Sequence, residues 1–166
     1  MQLRSAAGPG ARRLRFRLDH REAGSPWARW PPGLALSYGT AVHLEPGLSG
    51  SASLVVGDDD TAESLGSGTV AVLATPRLIA LCEEASCRAL DGVFDESKTS
   101  VGVRVQFDHL APLKPGSDVT AEAVLERVEG KRLTFTVTAN DAVGLVGAGR
   151  LTRVVVDVAS FLDKAR

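Results

Sequence analysis

The 166-residue chain is 44% apolar and 23% charged, the balance of a soluble globular protein with one well-packed core and no room for a second full domain. A formal net charge of -1 gives no reason to expect nucleic acid or an acidic membrane surface as the main partner. No apolar run approaches the roughly 18–20 residues that span a bilayer, and no apolar block of signal-peptide type follows the N-terminal arginines.

Charge is unevenly spread. Residues 1–42 hold seven arginines against Asp19 and Glu22, a balance of +5, and the remainder carries -6. This segment is rich in Gly, Pro and Arg, lacks periodicity, and ends near WARWPPG, which interrupts any regular element. It reads as a loosely ordered N-terminal extension ahead of a domain spanning 43–166. An Arg-rich, acid-poor start is also the composition of an organellar transit peptide, so mitochondrial import stands as the alternative to a cytoplasmic location.

Regular signals begin at about Ser49. SASLVV at 51–56 predicts a short strand, and DDDTAESLGSG a loop or short helical turn. Within 76–90, Leu78, Leu81, Cys82, Ala85 and Ala89 fall at i, i+3, i+4, i+7 and i+11, one apolar stripe of helical period. Thr75 before Pro76 predicts the start, with threonine as the cap and proline in the first helical position, and Asp91-Gly92 predicts the end. Cys82 and Cys87, five apart on this helix, point about 140° away from each other. They form no disulfide and read as apolar fillers of a reducing compartment.

The remainder alternates with period two. Val101, Val103, Val105 and Phe107 form one face; Val119, Ala121, Ala123 and Leu125 another; then Leu133, Phe135, Val137 and Ala139, and finally Val154, Val156 and Val158. Tight connections at Glu129-Gly130-Lys131 and Asn140-Asp141 predict an antiparallel meander for the last three strands. The fold class is therefore α+β: one antiparallel sheet with a single long helix packed on one face. One helix covers such a sheet incompletely, so edge pairing between subunits or a second helix is expected.

Three polar residues stand beside this core-forming sequence. Thr75, Glu83 and His109 supply a hydroxyl, a carboxylate and an imidazole, the parts that polarise a carbonyl, move a proton and cleave an acyl bond. Each has a plain structural reading as well. Thr75 suits a helix cap, which also leaves amide N–H groups free to hold a carbonyl oxygen. Glu83 sits at the edge of the buried stripe, whereas Glu84, about 100° further round, faces solvent. His109 ends a strand. On a straight helix Thr75 and Glu83 would lie about 12 Å apart along the axis and about 80° apart around it, which leaves a cap, a kink or a second subunit to bring them together. No His/Cys/Asp/Glu cluster has metal spacing, and His20 and His43 receive no role.

DTAESLGSGTVAVLATPRLIALCEEAS, TSVGVRVQFDHLAPLKPG and VEGKRLTFTVTANDAVGLVGAGRLTRVVVDVASF resemble, in that order and spacing, the fluoroacetyl-CoA thioesterase-like branch of hotdog proteins. The resemblance covers about residues 49–165. It implies a hotdog fold, an antiparallel sheet wrapped around one long helix that dimerises through strand pairing, as a homodimer or a dimer of dimers. The activity it implies is hydrolysis of a small acyl-CoA thioester, with coenzyme A as part of the substrate and no separate cofactor. Thr75, Glu83 and His109 match the family's catalytic threonine, glutamate and histidine, and Gly102 matches a glycine close to the bound acyl group. Arg153 matches an arginine to which no role is assigned. Gly66 and Thr69 stand where fluoroacetate-specific members place phenylalanines over the acyl pocket, a departure from a closed aromatic lid. Lys114, or an arginine of a second subunit, is a candidate for the coenzyme A phosphates. The rival functions are a non-catalytic acyl-CoA or small-ligand binding module, and a hotdog hydratase, whose Asp-(x)4-His spacing is absent from 76–90.

Overall fold

A computed structural model describes residues 43–165, and the extension expected at 1–42 lies outside them. In chain order the elements are β1 (Ser49–Val55), a 3-10 turn (Asp58–Asp60), α1 (Thr75–Arg88), β2 (Lys98–His109), β3 (Asp118–Glu129), β4 (Arg132–Asn140), β5 (Leu145–Asp157) and α2 (Val158–Leu162). The five strands form one antiparallel sheet in the order β1-β3-β4-β5-β2. β3, β4 and β5 are the expected meander. The β3–β4 turn is tight because Gly130, at φ 59, adopts a left-handed conformation that costs glycine little.

The long helix packs on one face of the sheet, as its stripe dictates. Leu78, Leu81, Cys82 and Ala85 are fully buried, against Val119, Ala121, Ala123 and Leu125 of β3 and Leu133, Phe135, Val137 and Ala139 of β4. Each buried leucine contributes about 1.5–3 kcal/mol by leaving water. β1 crosses the last turn of α1 at Gly50, where a Cβ would come within 2.5 Å of Ala85 O and 2.8 Å of the Arg88 carbonyl carbon. Only glycine lets strand and helix approach so closely.

Three expectations change. The helix begins one residue early: Ala74 is the N-cap, Thr75 and Pro76 occupy the first two helical positions, and no side chain caps the amides. In β5 the inward residues are Leu151, Arg153 and Val155, not Val154 and Val156, and Val158 opens α2. The alternation misled because the buried arginine occupies a core position in the pattern. In β2 the expected face of Val101, Val103, Val105 and Phe107 is broken by a bulge between Gly102 and Arg104, so residues of opposite parity face α1 on its two sides. The second helix exists, but α2 is five residues long and buries none of them. Its cap is Asp157, whose side chain accepts from Ser160 N and whose carboxyl is held below the usual range by that hydrogen bond. β2 is left as an edge, with Val103 51% and Val105 40% exposed.

Candidate active site

The start of α1 is fixed by its neighbours. Arg77 Nε donates to Asp60 Oδ1 at 2.7 Å, Ala74 N donates to Asp60 O, and Asp60 also closes its own turn by accepting from Gly57 N. Leu73 N donates to Leu113 O, while Leu110 N donates to Val146 O, so the chain leaving β2 is pinned beside the helix start. His109, the last residue of β2, thereby meets the first residue of α1.

The meeting is a hydrogen bond. Thr75 Oγ1 and His109 Nδ1 are 2.9 Å apart, and His109 Nε2 lies 3.1 Å from Ala111 O. A carbonyl oxygen only accepts, so Nε2 carries the proton and donates to Ala111. In the neutral ring Nδ1 is then the acceptor, and Thr75 donates its hydroxyl proton to it. Backbone, rather than a carboxylate, sets the tautomer. The Thr75 N–H takes no partner among the described residues, and Pro76 has none to offer. One free amide donor therefore sits beside the threonine oxygen at the positive end of the helix. Thr75 and His109 line a cavity of about 290 Å³ whose other walls include Ala62, Ser67, Leu110 and Pro112.

Glu83 lies elsewhere. About two turns along α1, its carboxylate reaches over Gly102, where a Cβ would overlap Oε1, and it stands 3.9 Å from Arg153 Nη1. It makes no hydrogen bond with Thr75 or His109. Its neighbour Glu84 pairs with Arg88 at 2.5 Å, and Arg88 donates in turn to Ser51 O, so the second glutamate ties helix to β1. Arg153 is 5% exposed, and its guanidinium donates to Ser100 Oγ at 2.9 Å, Ser100 O at 2.8 Å and Ser86 Oγ at 3.3 Å. Sequence put Thr75 at the start of the helix and His109 at the end of a strand, where the structure has them; Gly102, expected close to a bound acyl group, lies against Glu83. No sign of the Ala111 carbonyl stood in the sequence, because a backbone acceptor has no residue signature, and none of Ser86 and Ser100. Arg153 is marked by the family resemblance alone, because the alternation of Val154, Val156 and Val158 puts it in the outward phase.

Neither thiol competes as a nucleophile. Burial pushes Cys82 up to about 12 and raises Cys87 as well, the latter against the opposing pull of Arg153. Among the described residues no three His, Cys, Asp or Glu side chains gather to hold a metal ion.

Comparison with known proteins bears on this geometry. Residues 56–159 match the family model of the fluoroacetyl-CoA-specific thioesterase. The fluoroacetyl-CoA thioesterase of Streptantibioticus cattleyicolor is 36% identical over 95 residues, 57% of this chain and 68% of that protein. A crystal structure of the fluoroacetyl-CoA thioesterase superposes with a TM-score of 0.69 at 30% identity, covering 73% of this chain and 94% of the other. A hot-dog-like protein from Thermanaerovibrio acidaminovorans gives 0.66 at 28% identity, covering 72% and 88%.

Proposed function

The chain belongs to the fluoroacetyl-CoA-specific thioesterase family and has its hotdog fold, and from that premise we propose that it hydrolyses an acyl-CoA thioester at the Thr75–His109 pair. The observation that carries this reading is the hydrogen bond from the Thr75 hydroxyl to an imidazole nitrogen whose tautomer is already set. A hydroxyl so held is an activated nucleophile. As Thr75 Oγ1 bonds to the acyl carbon, His109 Nδ1 takes its proton. The Thr75 N–H, with its helix-end dipole, is the donor for the developing oxyanion. Collapse expels coenzyme A as a thiol, protonated by His109, and a water activated by the same imidazole releases the acid and restores the threonine.

The acyl group occupies the cavity beside Thr75; Gly102, which lies with Glu83 at the other end of β2, keeps a side chain away from the thioester once a second subunit brings that end to the cavity. Lys114 is a candidate for the coenzyme A phosphates. Glu83 serves the water of the second step, and a second subunit brings it there. The open edge of β2, with Val103 and Val105 exposed, supports pairing of two copies into a homodimer. Coenzyme A enters as substrate. No helix among the described residues is long and apolar enough to cross a membrane; a cytoplasmic location is proposed, with mitochondrial import the alternative.

The test is release of free thiol from short, medium and aryl acyl-CoAs, with Thr75→Ala and His109→Ala as controls. Turnover by wild type that collapses in both variants is expected. Binding of acyl-CoA with no release from any of them would leave a binding module instead.

A further inference from the structure

Arg153 has no place in the chemistry above, yet it is the one charged side chain buried among the described residues. A buried guanidinium demands both hydrogen-bond acceptors and a counter-charge. Its hydrogen bonds go to neutral groups, the Ser100 hydroxyl and carbonyl on β2 and the Ser86 hydroxyl on α1. Ser86 is itself oriented, because its hydroxyl donates to Glu83 O at 2.6 Å. The counter-charge is Glu83, at 3.9 Å from Nη1, close enough for attraction but beyond a hydrogen bond. Across the strands Arg153 pairs with Gly102, and the missing side chain there is the space that the Glu83 carboxylate fills.

Resting on the thioesterase reading, we infer that Arg153 is a positioning residue for Glu83: it holds the carboxylate over Gly102 without consuming its lone pairs. A direct fork of two hydrogen bonds from an arginine would have locked Glu83 into a structural ion pair. Here the serines take up the fork, and the Glu83 carboxylate accepts no hydrogen bond from any described residue. The carboxylate oxygens stay available to a water or a substrate hydrogen, held in place by charge and by the Gly102 gap.

The test is a cycle of Arg153→Met in wild-type and Glu83→Gln backgrounds, with kcat and KM measured by thiol release, in single-turnover form where rates are low. Loss of placement by an ångström costs roughly 100-fold in rate. Arg153→Met is therefore expected to lower kcat by roughly 100-fold with KM little changed, and to change kcat of the Glu83→Gln enzyme by no more than about twofold, the range within which uncoupled changes scatter. An equal loss in both backgrounds, or a loss carried in KM, overturns the inference. Where Arg153→Met fails to fold, Arg153→Lys keeps the charge and forfeits the fork, and the same comparison of backgrounds decides. Absence of turnover by the wild-type enzyme would instead overturn the thioesterase reading itself.

Discussion

Two glycines, Gly50 and Gly102, are filled from opposite sides, and alanine at each should separate stability from activity. At Gly102 the new methyl overlaps Glu83 Oε1, while the carboxyl carbon stands 3.5 Å away. The obstacle is the end of a flexible side chain whose solvent exposure is 40%. It gives way by about 1 Å to reach an ordinary C···O separation of roughly 3.3 Å. Alanine in a strand recovers about 0.5–1 kcal/mol of the backbone entropy that glycine loses, so the thermal midpoint should hardly move. Displacing the carboxylate by that distance should lower kcat by roughly 100-fold. At Gly50 the obstacle is helix backbone, which cannot rotate away. Overpacking there costs about 1–3 kcal/mol, or about 4–12 °C at roughly 4 °C per kcal/mol for a domain of this size, with kcat near wild type below the melt. Melting followed by fluorescence and turnover by thiol release read both quantities. Gly102→Ala with wild-type kcat would refute the placement of Glu83; a rise in KM alone would mean that the methyl obstructs the acyl group and not the glutamate.

Thr75→Ser keeps the donated hydroxyl and should keep most of kcat, whereas Thr75→Ala should lose about 10²–10⁴-fold, the range of a general-base partnership; acyl-enzyme seen by mass spectrometry with the serine variant would identify the nucleophile. Phe135, the largest fully buried side chain, should cost about 3–5 kcal/mol on truncation to alanine, measured by urea denaturation. Since burial raises the Cys82 thiol to about 12, that residue should resist alkylation in the native protein at pH 8.5 where the unfolded chain reacts, whereas the exposed Cys87 stays open to the reagent. The sign is fixed: protonated thiols favour the folded state below the unfolded value of 9.0, and that contribution is lost as pH rises through the folded value.

Period and punctuation made most of this fold legible. The α1 stripe of Leu78, Leu81, Cys82, Ala85 and Ala89 and the inward faces of β3 and β4 lie where alternation put them, because each of these elements meets one apolar layer. What escaped the pattern lies near the site. Thr75 looked like a cap, but its hydroxyl goes to His109 and not to a helix amide. Val103 looked like a core position, but it is the extra residue of a bulge, and bulges leave no mark in an unbroken alternation. Arg153 looked like an outward residue because arginines are seldom buried; its acceptors come from β2 and α1, distant in sequence. Local rules fail where function asks for something other than packing.

The separation of Glu83 from Thr75 and His109 along α1 makes one consequence unavoidable if all three act together. Within one chain the glutamate serves the Gly102–Arg153 end of β2, and the histidine stands at the strand's other end. β2 is an edge, and two copies of an antiparallel edge paired about a twofold axis set each strand's start against its partner's finish. In such a pair one subunit's glutamate is expected to approach the other's imidazole, so that each site draws on both chains. Mixing Thr75→Ala subunits with Glu83→Gln subunits tests this without a structure. In the mixed dimer one site collects both lesions and the other collects none. Random reassortment makes half the dimers mixed with one intact site in two, so a pair of inactive proteins should regain about a quarter of wild-type activity after unfolding and refolding together. If each chain instead completes its own site, every site carries one lesion and no activity returns.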